Sequence, residues 1–573
     1  MAPVPRTTPR TTPRIALVPD PHGPGGSLQP LAEDGSPLGP PVRTPALATA
    51  VAEREAAEQP RWVWAAADSA YTPLLPLRLA RCHDLRLVEA LLLGHEGAWG
   101  APRSLGAAWA RINRLPVPAD LPDSAGPGDQ ESLFAPDRLQ LPPGTDPLTA
   151  VVAVHAEQQR RIQAIADPAA RSRFRLLVAA ESAGALLAAE MAADGLPWRA
   201  DIHDRLLTEL LGPRPTVPGT RPSHLAELAA ELQQALGGRP FNPDSHTQVL
   251  RAFADQGIQL GSTRSWELNS IDHPAARLMV RYKELSRLHA AHGWAWQDTW
   301  ARGGRFRPEY VVGGVVSGRW ASRGGGALQI PRILRRAVVA DPGWALVVAD
   351  AAQLEPRVLA ALSQDPGLAR SAAEGDLYSA LAATAFQGDR DKAKLGLLGA
   401  MYGQTSGDIG PLLATLRHRY PAAMGYVEAA ARTGEDGGIV RSRLGRTCPP
   451  PSADWLDLTE SPETAGEAGG RSARARGRFT RNFVIQASGA EWALALLAAL
   501  RRRLTALESG ADRPHLVFFQ HDEVVVHTPL NLADQVAAAV TDAAEEARAL
   551  VFGDTPVRFP LSTAVVECYA DAK

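Results

Sequence analysis

The chain of 573 residues is short of lysine, cysteine, aromatic residues and net charge. Of 60 basic side chains only four are lysine: Lys283, Lys392, Lys394 and Lys573. Alanine, glycine and proline are abundant, so the arginine excess reads as a coding bias. A lysine kept against that bias points mildly to a position that wants a compact ammonium. The three cysteines (Cys82, Cys448 and Cys568) lie far apart. They show no metal-ligand spacing and no disulfide framework, which suits a reducing cytoplasm. A formal net charge of −2 excludes a global field that could hold nucleic acid, so such binding needs local basic patches. Charges interrupt the apolar runs before eighteen residues, and no membrane-spanning segment is expected. What is there, 45% hydrophobic and 21% charged, is the composition of a globular protein with several cores.

Residues 1–14 hold a PRTTPRTTPR repeat without the apolar core of a secretory signal, and read as a disordered basic tail. Short β-type runs at 15–18 and 62–65 stand among helical segments, and 85–93 is an apolar helix. Pro, Gly and Asp gather in 115–147 as a linker, which closes a small α/β unit. From 148 to 300 the pattern is mainly helical. Residues 174–191 form a helix packed on both sides, and 274–300 has apolar helical spacing with Arg277, Arg281, Lys283 and Arg287 interleaved. The run 311–331 is Gly-rich and carries Arg319. It permits close approach of a backbone or ligand, but it lacks the lysine of a phosphate-cradling loop.

Four stretches carry candidate chemistry. The apolar run 346–349 reads as a buried strand ending on Asp350, with Glu355 five residues on in a helix. A carboxylate delivered there meets a metal, a cation or water, or else Asp350 caps the helix starting near Gln353; both readings stand at this point. In 388–403, Arg390, Lys394, Leu398 and Tyr402 are spaced by four and share one drifting helix face. Two cations followed by an apolar residue and a ring suit a polyphosphate with a base, although a plain surface helix has the same pattern. Five arginines without an acid fill 471–481, either a phosphate track or a solvated surface. Residues 515–529 form two β runs around Gln520-His521-Asp522-Glu523, a hairpin whose adjacent acids repel unless a cation or solvent relieves them. Together these fit phosphoryl transfer, in which two divalent ions about 3.5–4 Å apart hold the attacking and leaving oxygens. Asp350 and Asp522 are the expected metal ligands, with Arg390 and Lys394 on a triphosphate.

In this order the motifs resemble those of family A DNA polymerases, the bacterial DNA polymerase I group. Asp350-Ala-Ala-Gln-Leu-Glu-Pro-Arg357 resembles motif A (DYSQIELR). Arg390, Lys394, Tyr402 and Gly403 match motif B (RxxxKxxxFxxxYG), and Gln520-His521-Asp522-Glu523 matches motif C (VHDE). Residues 317–331 resemble the TGRLSS…LQNIP segment. Arg478, Asn482 and Gln486 fall where the family contacts primer–template, and FNPDS (241–245) with the helix around Tyr282 fits its thumb. The likeness runs from about residue 240 to the end, and is strongest to the short actinobacterial-type group labelled bifunctional exonuclease/DNA polymerase.

The resemblance implies an α+β multidomain right hand with a degenerate, RNase H-like 3′–5′ exonuclease domain in front. The expected parts are a tail at 1–14, the exonuclease-like domain and linker at 15–150, and thumb and connecting helices at 151–304. Palm follows at 305–375, fingers at 376–480 and palm again at 481–573. It implies two magnesium ions on Asp350 and Asp522, with manganese able to substitute. Lys394 and Glu523 join the catalytic set, while Gln353, Glu355, Arg390, Lys394, Leu398 and Tyr402 face the dNTP. Arg319, Arg478, Asn482, Gln486 and His521 face DNA. The implied protein is a cytoplasmic, nucleoid-associated monomer acting on primer–template DNA and dNTPs, without a membrane. Departures are Ala351 and Ala352 for Tyr and Ser, Leu398 for a stacking ring, Tyr378 for a nucleotide-contacting histidine, and Pro356, which is expected to alter the helix start. The nuclease pattern is missing. There is no DxE near 15–18 (the chain has Asp20-Pro-His22), Asp68 is a remnant at best, and 151–160 reads VVAVHAEQQR where YxxxD belongs. Polymerase without proofreading is the reading; a DNA-binding relative with weak or lost catalysis is the alternative.

Overall fold

The computed structural model describes residues 12–121, 139–217, 219–323, 326, 330–373, 375–403, 409–460, 467–507 and 512–572. The expected tail up to residue 11, the middle of the expected linker (122–138) and part of the Gly-rich run (324, 325 and 327–329) lie outside the described residues. The chain divides into two compact units. Described residues up to Ala193, with Tyr310–Ala321 and Val347–Ala564, form the first. Asp194–Glu309, Ser322–Leu346 and the described residues from Val565 on form the second.

The first unit begins with a five-stranded sheet: β1 (Arg14–Pro19), β2 (Gly26–Leu31), β3 (Val42–Thr44), β4 (Arg61–Trp64) and β5 (Arg81–Asp84), in the order β3-β2-β1-β4-β5. β2 is antiparallel to β1, whereas β4 is parallel to β1 and β5 to β4. Helix α1 (Leu47–Glu58) makes the crossover that a parallel pair needs. The run Trp62-Val63-Trp64 is apolar at every position because the sheet is covered on both faces. Trp62 and Trp64 pack with Leu47 and Val51 of α1, and Val63 packs on the other side with Val151 and Val154 of a later helix. Asp84 caps helix α2 (Leu85–His95), accepting from Leu87 N at 3.0 Å. The later helix is α3 (Pro147–Gln163), followed by the 27-residue α4 (Pro168–Asp194).

A second sheet follows, most of it in the same unit. Strand β6 (Trp344–Ala351) leads into α5 (Leu354–Ser363), α6 (Leu377–Ala385), α7 (Arg390–Tyr402), α8 (Pro421–Glu435) and the 40-residue α9 (Glu467–Ala506). Strands β7 (His515–Gln520) and β8 (Glu523–Pro529) form the expected hairpin; α10 (Ala533–Phe552) and β9 (Leu561–Val566) complete the unit. The sheet order is β7-β8-β6-β9, and α9 packs against α5, α8 and α10. α4 and residues Gly469–Ala506 of α9 are long and apolar enough to cross a membrane, but 67% and 89% of their apolar windows are buried inside the protein. They are core helices covered by neighbours.

The second unit is mainly helical with a small three-stranded sheet. The helical pattern at 274–300 is interrupted: Pro274–His292 ends at Gly293, and Trp294–Trp300 follows. Asp244 of the FNPDS run ties the unit together. It accepts from the Tyr282 hydroxyl, Ser286 Oγ and Arg221, each at 2.9 Å. The retained Lys283 is local glue, donating to the Thr263 carbonyl (2.5 Å) and hydroxyl (2.8 Å).

Candidate active site

Strand β6 is buried from Ala345 to Ala349 and turns half-buried at Asp350. The Ala351 N–H donates to the Asp522 carbonyl at 3.0 Å, so the end of β6 lies against the tip of the β7–β8 hairpin. Register pairs Gln520 with Glu523, leaving His521 and Asp522 as a two-residue tip. His521 has φ +57°, a left-handed backbone that usually falls to glycine. Gln353, three residues after Asp350, has φ +58°. Such positions cost about 1–3 kcal/mol each and persist where surrounding structure holds them, often at functional sites.

The cap reading of Asp350 is corrected. The residue before α5 is Gln353, whose own side chain makes no capping hydrogen bond. Pro356 does not disturb the start either: it stands third in α5, where backbone N–H groups lack intrahelical partners anyway. Arg357 secures the turn. It is fully buried and donates to the carbonyls of Ala352 (3.0 Å), Ala372 (2.6 Å), Gly375 (2.7 Å) and Arg558 (2.9 Å).

Burial first, and the Asp350 carboxylate second, push the Asp522 carboxyl up to about 6. An acid raised by a neighbouring acid is one that a cation would relieve. Among the described residues there is no group of three or more His, Cys, Asp or Glu placed to hold a metal. A pair of carboxylates still fits magnesium, which keeps several waters and is often held by one or two carboxylates plus substrate phosphates. Glu523 is 4% exposed at the start of β8.

Beside the pair, Glu355 gathers two groups. Arg319 Nη2 donates to it at 2.5 Å, and the Tyr402 hydroxyl donates to its other oxygen. Burial and the Glu355 charge raise the Tyr402 phenol. Burial, then the Arg319 cation, hold the His521 imidazole below its ordinary value, which places the hairpin tip in the same field. A second cluster stands at Asp376, which the sequence reading passes over. Asp376 caps α6 and accepts from Gln353 Nε2 (2.6 Å) and Arg390 Nε (2.9 Å). Against the pull of burial, hydrogen bonds from Arg390, Gln353 and Ser379 hold its carboxyl far below the usual range. The Arg390 guanidinium lies 5.5 Å from the Tyr378 ring centre. The only hint in the sequence was an acid just before a helical run.

On α7, Arg390 and Lys394 are exposed and Leu398 and Tyr402 half-buried, as the spacing by four predicts. Gly403 (φ +67°) ends the helix against Arg478 of α9, with the Arg478 Cγ 2.8 Å from where a Cβ would stand. Asn482 and Gln486 follow Arg478 at helical spacing and are half-buried. The reading of 471–481 as one phosphate track is corrected for two members. Arg476 donates to the carbonyls of Gly438 (3.1 Å) and Pro449 (3.2 Å), and Arg481 to that of Ala400 (3.0 Å). Helical phase turns these two inward and leaves Arg471, Arg474 and Arg478 exposed. In the N-terminal sheet Asp20 pairs with Arg43 at 3.3 Å and Asp68 with Arg86 at 2.8 Å, while Asp84 is raised mainly by burial, with Asp68 a smaller cause.

Comparison with known proteins bears on this arrangement. The chain is 28% identical over 370 residues to the thermostable DNA polymerase I of Thermus filiformis, covering 56% of this chain and 42% of that protein. It is 26% identical over 361 residues to DNA polymerase I of Chloroflexus aurantiacus, covering 56% and 36%. The chain thus spans about two fifths of the length of the curated relatives it matches. A solved structure, the POL domain of Pol1 from M. smegmatis in complex with DNA primer-template and dNTP, shares the fold with a TM-score of 0.71. Identity there is 18%, with 98% of this chain and 96% of that one covered. The family model described as DNA polymerase family A matches residues 220–566, a span that takes in Arg319, both carboxylates, the cationic helix and the hairpin. With more than half of its length matched, the chain belongs to DNA polymerase family A.

Proposed function

We propose that this protein is a template-dependent DNA polymerase that extends a primer 3′ end with dNTPs, in repair or gap filling. The observation that carries the reading is the meeting of Asp350 and Asp522 at adjacent strand ends in a chain of this family. Asp350 and Asp522 would hold two magnesium ions, for which manganese could substitute. Metal ions bound there would supply neutralisation of charge on the transferring phosphoryl group. Lys394 and Arg390 bind the triphosphate, Arg390 exchanging Asp376 for a phosphate oxygen. Glu355, fixed by Arg319 and Tyr402, is the wall beneath the sugar, with Gln353 at its edge and Glu523 behind the hairpin tip. Leu398 meets the base, and Arg319, His521, Arg478, Asn482 and Gln486 line the primer–template path. In this reading the hand has its palm at 305–375 and 481–573, its fingers at 376–480, and thumb and connecting helices at 151–304. The protein works as a cytoplasmic, nucleoid-associated monomer.

The sheet β1–β5 with α3 is the exonuclease-like domain, without nuclease activity. The pairing of Asp20 and Asp68 with separate arginines supports this, because two metals need several acids at one point. A second reading, DNA binding with weak catalysis, is favoured by the aliphatic Leu398. Loss of a stacking ring costs roughly 1–3 kcal/mol per base. Primer extension with magnesium separates the two. Extension by the parent that collapses in Asp350→Asn and Asp522→Asn supports the polymerase. Salt-sensitive binding to primer–template without extension supports the second reading. Equal extension in all three proteins would sink the assignment of the carboxylates.

A further inference from the structure

The hairpin that delivers Asp522 is held by a side chain to which no role is assigned above. β7 is the outer strand of the order β7-β8-β6-β9, so one row of its N–H groups faces away from β8. One of them, the Phe519 N–H, donates to the Tyr310 hydroxyl at 3.1 Å. Both side chains are buried. The ladder between β7 and β8 shifts register between Leu516 and Phe518, which leaves Val517 as an extra residue. An extra residue turns every side chain beyond it to the opposite face of the strand. The direction of the hairpin tip therefore depends on where this bulge sits. The Phe519 N–H lies between the bulge and Asp522, and Tyr310 pins it there.

Tyr310 stands on a segment that is itself fixed. Trp320 of the same segment packs against both Tyr310 (ring centres 5.5 Å apart) and Phe519 (5.1 Å, edge to face). Gly184 lets α4 close on this ring, since a Cβ there would stand 3.3 Å from Trp320 Cζ2. The Gly-rich run between Tyr310 and Trp320 lies on a buried ion pair, in which Arg446 Nη2 donates to Glu181 at 2.6 Å. A Cβ at Gly313 (φ +61°) would stand 2.5 Å from Glu181 Oε1, and one at Gly318 (φ +84°) 2.3 Å from Arg446 Nε. Arg319, between Gly318 and Trp320, holds Glu355. One packed segment thus braces both the hairpin of Asp522 and the Glu355 wall.

We propose that Tyr310 is a positioning residue of the polymerase reaction: its hydroxyl locks the bulge in β7 and so sets Asp522 against Asp350. The inference rests on the polymerase reading above. Tyr310→Phe keeps the ring and removes only the oxygen. It is tested in the full chain by single-turnover primer extension and by hydrogen exchange of residues 515–524. The parent and Val63→Ala, a buried change in β4 that lowers stability away from the hairpin, are measured alongside. Tyr310→Phe is expected to slow extension at saturating dNTP about tenfold or more, as a small misplacement of reacting groups does. KM for dNTP and affinity for primer–template stay unchanged. Exchange in 515–524 quickens, and Val63→Ala shows neither change. Extension by Tyr310→Phe at the parent rate overturns the inference, as does slowing without faster exchange in the hairpin or a loss that falls on KM. Equal slowing in Val63→Ala also overturns it, because it marks a general loss of stability. In each of these cases extension by the parent leaves the polymerase reading where it stood. A parent that extends no primer sinks that reading, and this inference with it.

Discussion

The β1–β5 sheet and the β6–β9 sheet both place aspartates at or just beyond strand ends, and the two sets of acids sit in opposite surroundings. In the first, Asp20 and Asp68 each lie against an arginine, and Asp84 is buried as a helix cap. In the second, β6 and the hairpin tip bring Asp350 and Asp522 together, and Asp522 is pushed up to about 6. Acids dispersed onto arginines stabilise locally and leave nothing for a cation to do. Acids brought together keep an electrostatic cost that a proton or a cation removes. The contrast explains how one chain carries two such sheets and, among the described residues, one candidate catalytic centre.

The largest expected effect tests the contrast directly. Asp350→Asn or Asp522→Asn should lower primer extension by ten-thousandfold or more, about 5 kcal/mol of transition-state stabilisation. Asp20→Asn and Asp68→Asn should leave extension unchanged, and release of 3′ mononucleotides should be absent in the parent. Release that disappears in Asp68→Asn would break the comparison.

The first sheet is nonetheless joined to the second half of its unit. Glu190 of α4 accepts from Arg501 of α9 (2.6 and 2.8 Å) and from the Tyr71 hydroxyl (2.5 Å). Arg501 also donates to the Leu79 carbonyl at 2.8 Å. Glu190→Ala strands a buried guanidinium and should lower the unfolding free energy from denaturant titration by roughly 4 kcal/mol, in one transition. A separate early transition would show the N-terminal sheet to be an independent appendage.

A third case is an acid at neither strand end. Glu491 is fully buried on α9 and accepts from the Ser442 hydroxyl and, at 2.8 Å, from Leu444 N. Burial pushes it up to about 7. The folded state therefore keeps a proton that the unfolded chain gives up. The resulting stability is complete below the ordinary value of 4.5 and is lost as pH rises through about 7. Unfolding at pH 5 and pH 8 should differ by about 2.5 kcal/mol from this group, and Glu491→Gln should remove that part of the slope.

The smallest effect concerns Asp376. Asp376→Ala removes a helix cap and should cost about 1 kcal/mol. The Arg390 pair itself is half-exposed and adds little. The sharper readout is the KM for dNTP, which should change as Arg390 loses its resting partner, while Asp20→Ala leaves it alone.

Much of this was legible beforehand. Alternation and apolar runs announced β1, β4, β6 and the hairpin, because side-chain direction along a strand is a local matter. Spacing by four announced the exposed face of α7. Asp376, Arg357 and the Glu181–Arg446 pair were not legible, since each depends on partners brought in from elsewhere. The arginine run failed in part for a related reason. Composition counts five cations, but helical phase and the carbonyls of Gly438, Pro449 and Ala400 decide which face outward.

The sequence by itself determined the local elements, the order of the motifs and the family, all of which follow from near neighbours along the chain. Only the tertiary structure decided that Asp350 is a paired acid and not a helix cap, and that Asp20 and Asp68 are tied to arginines. It also decided that the glycines before Arg319 make room for a buried ion pair. A carboxylate's character is set by what lies within a few ångströms of it, and in this chain those neighbours come from distant stretches.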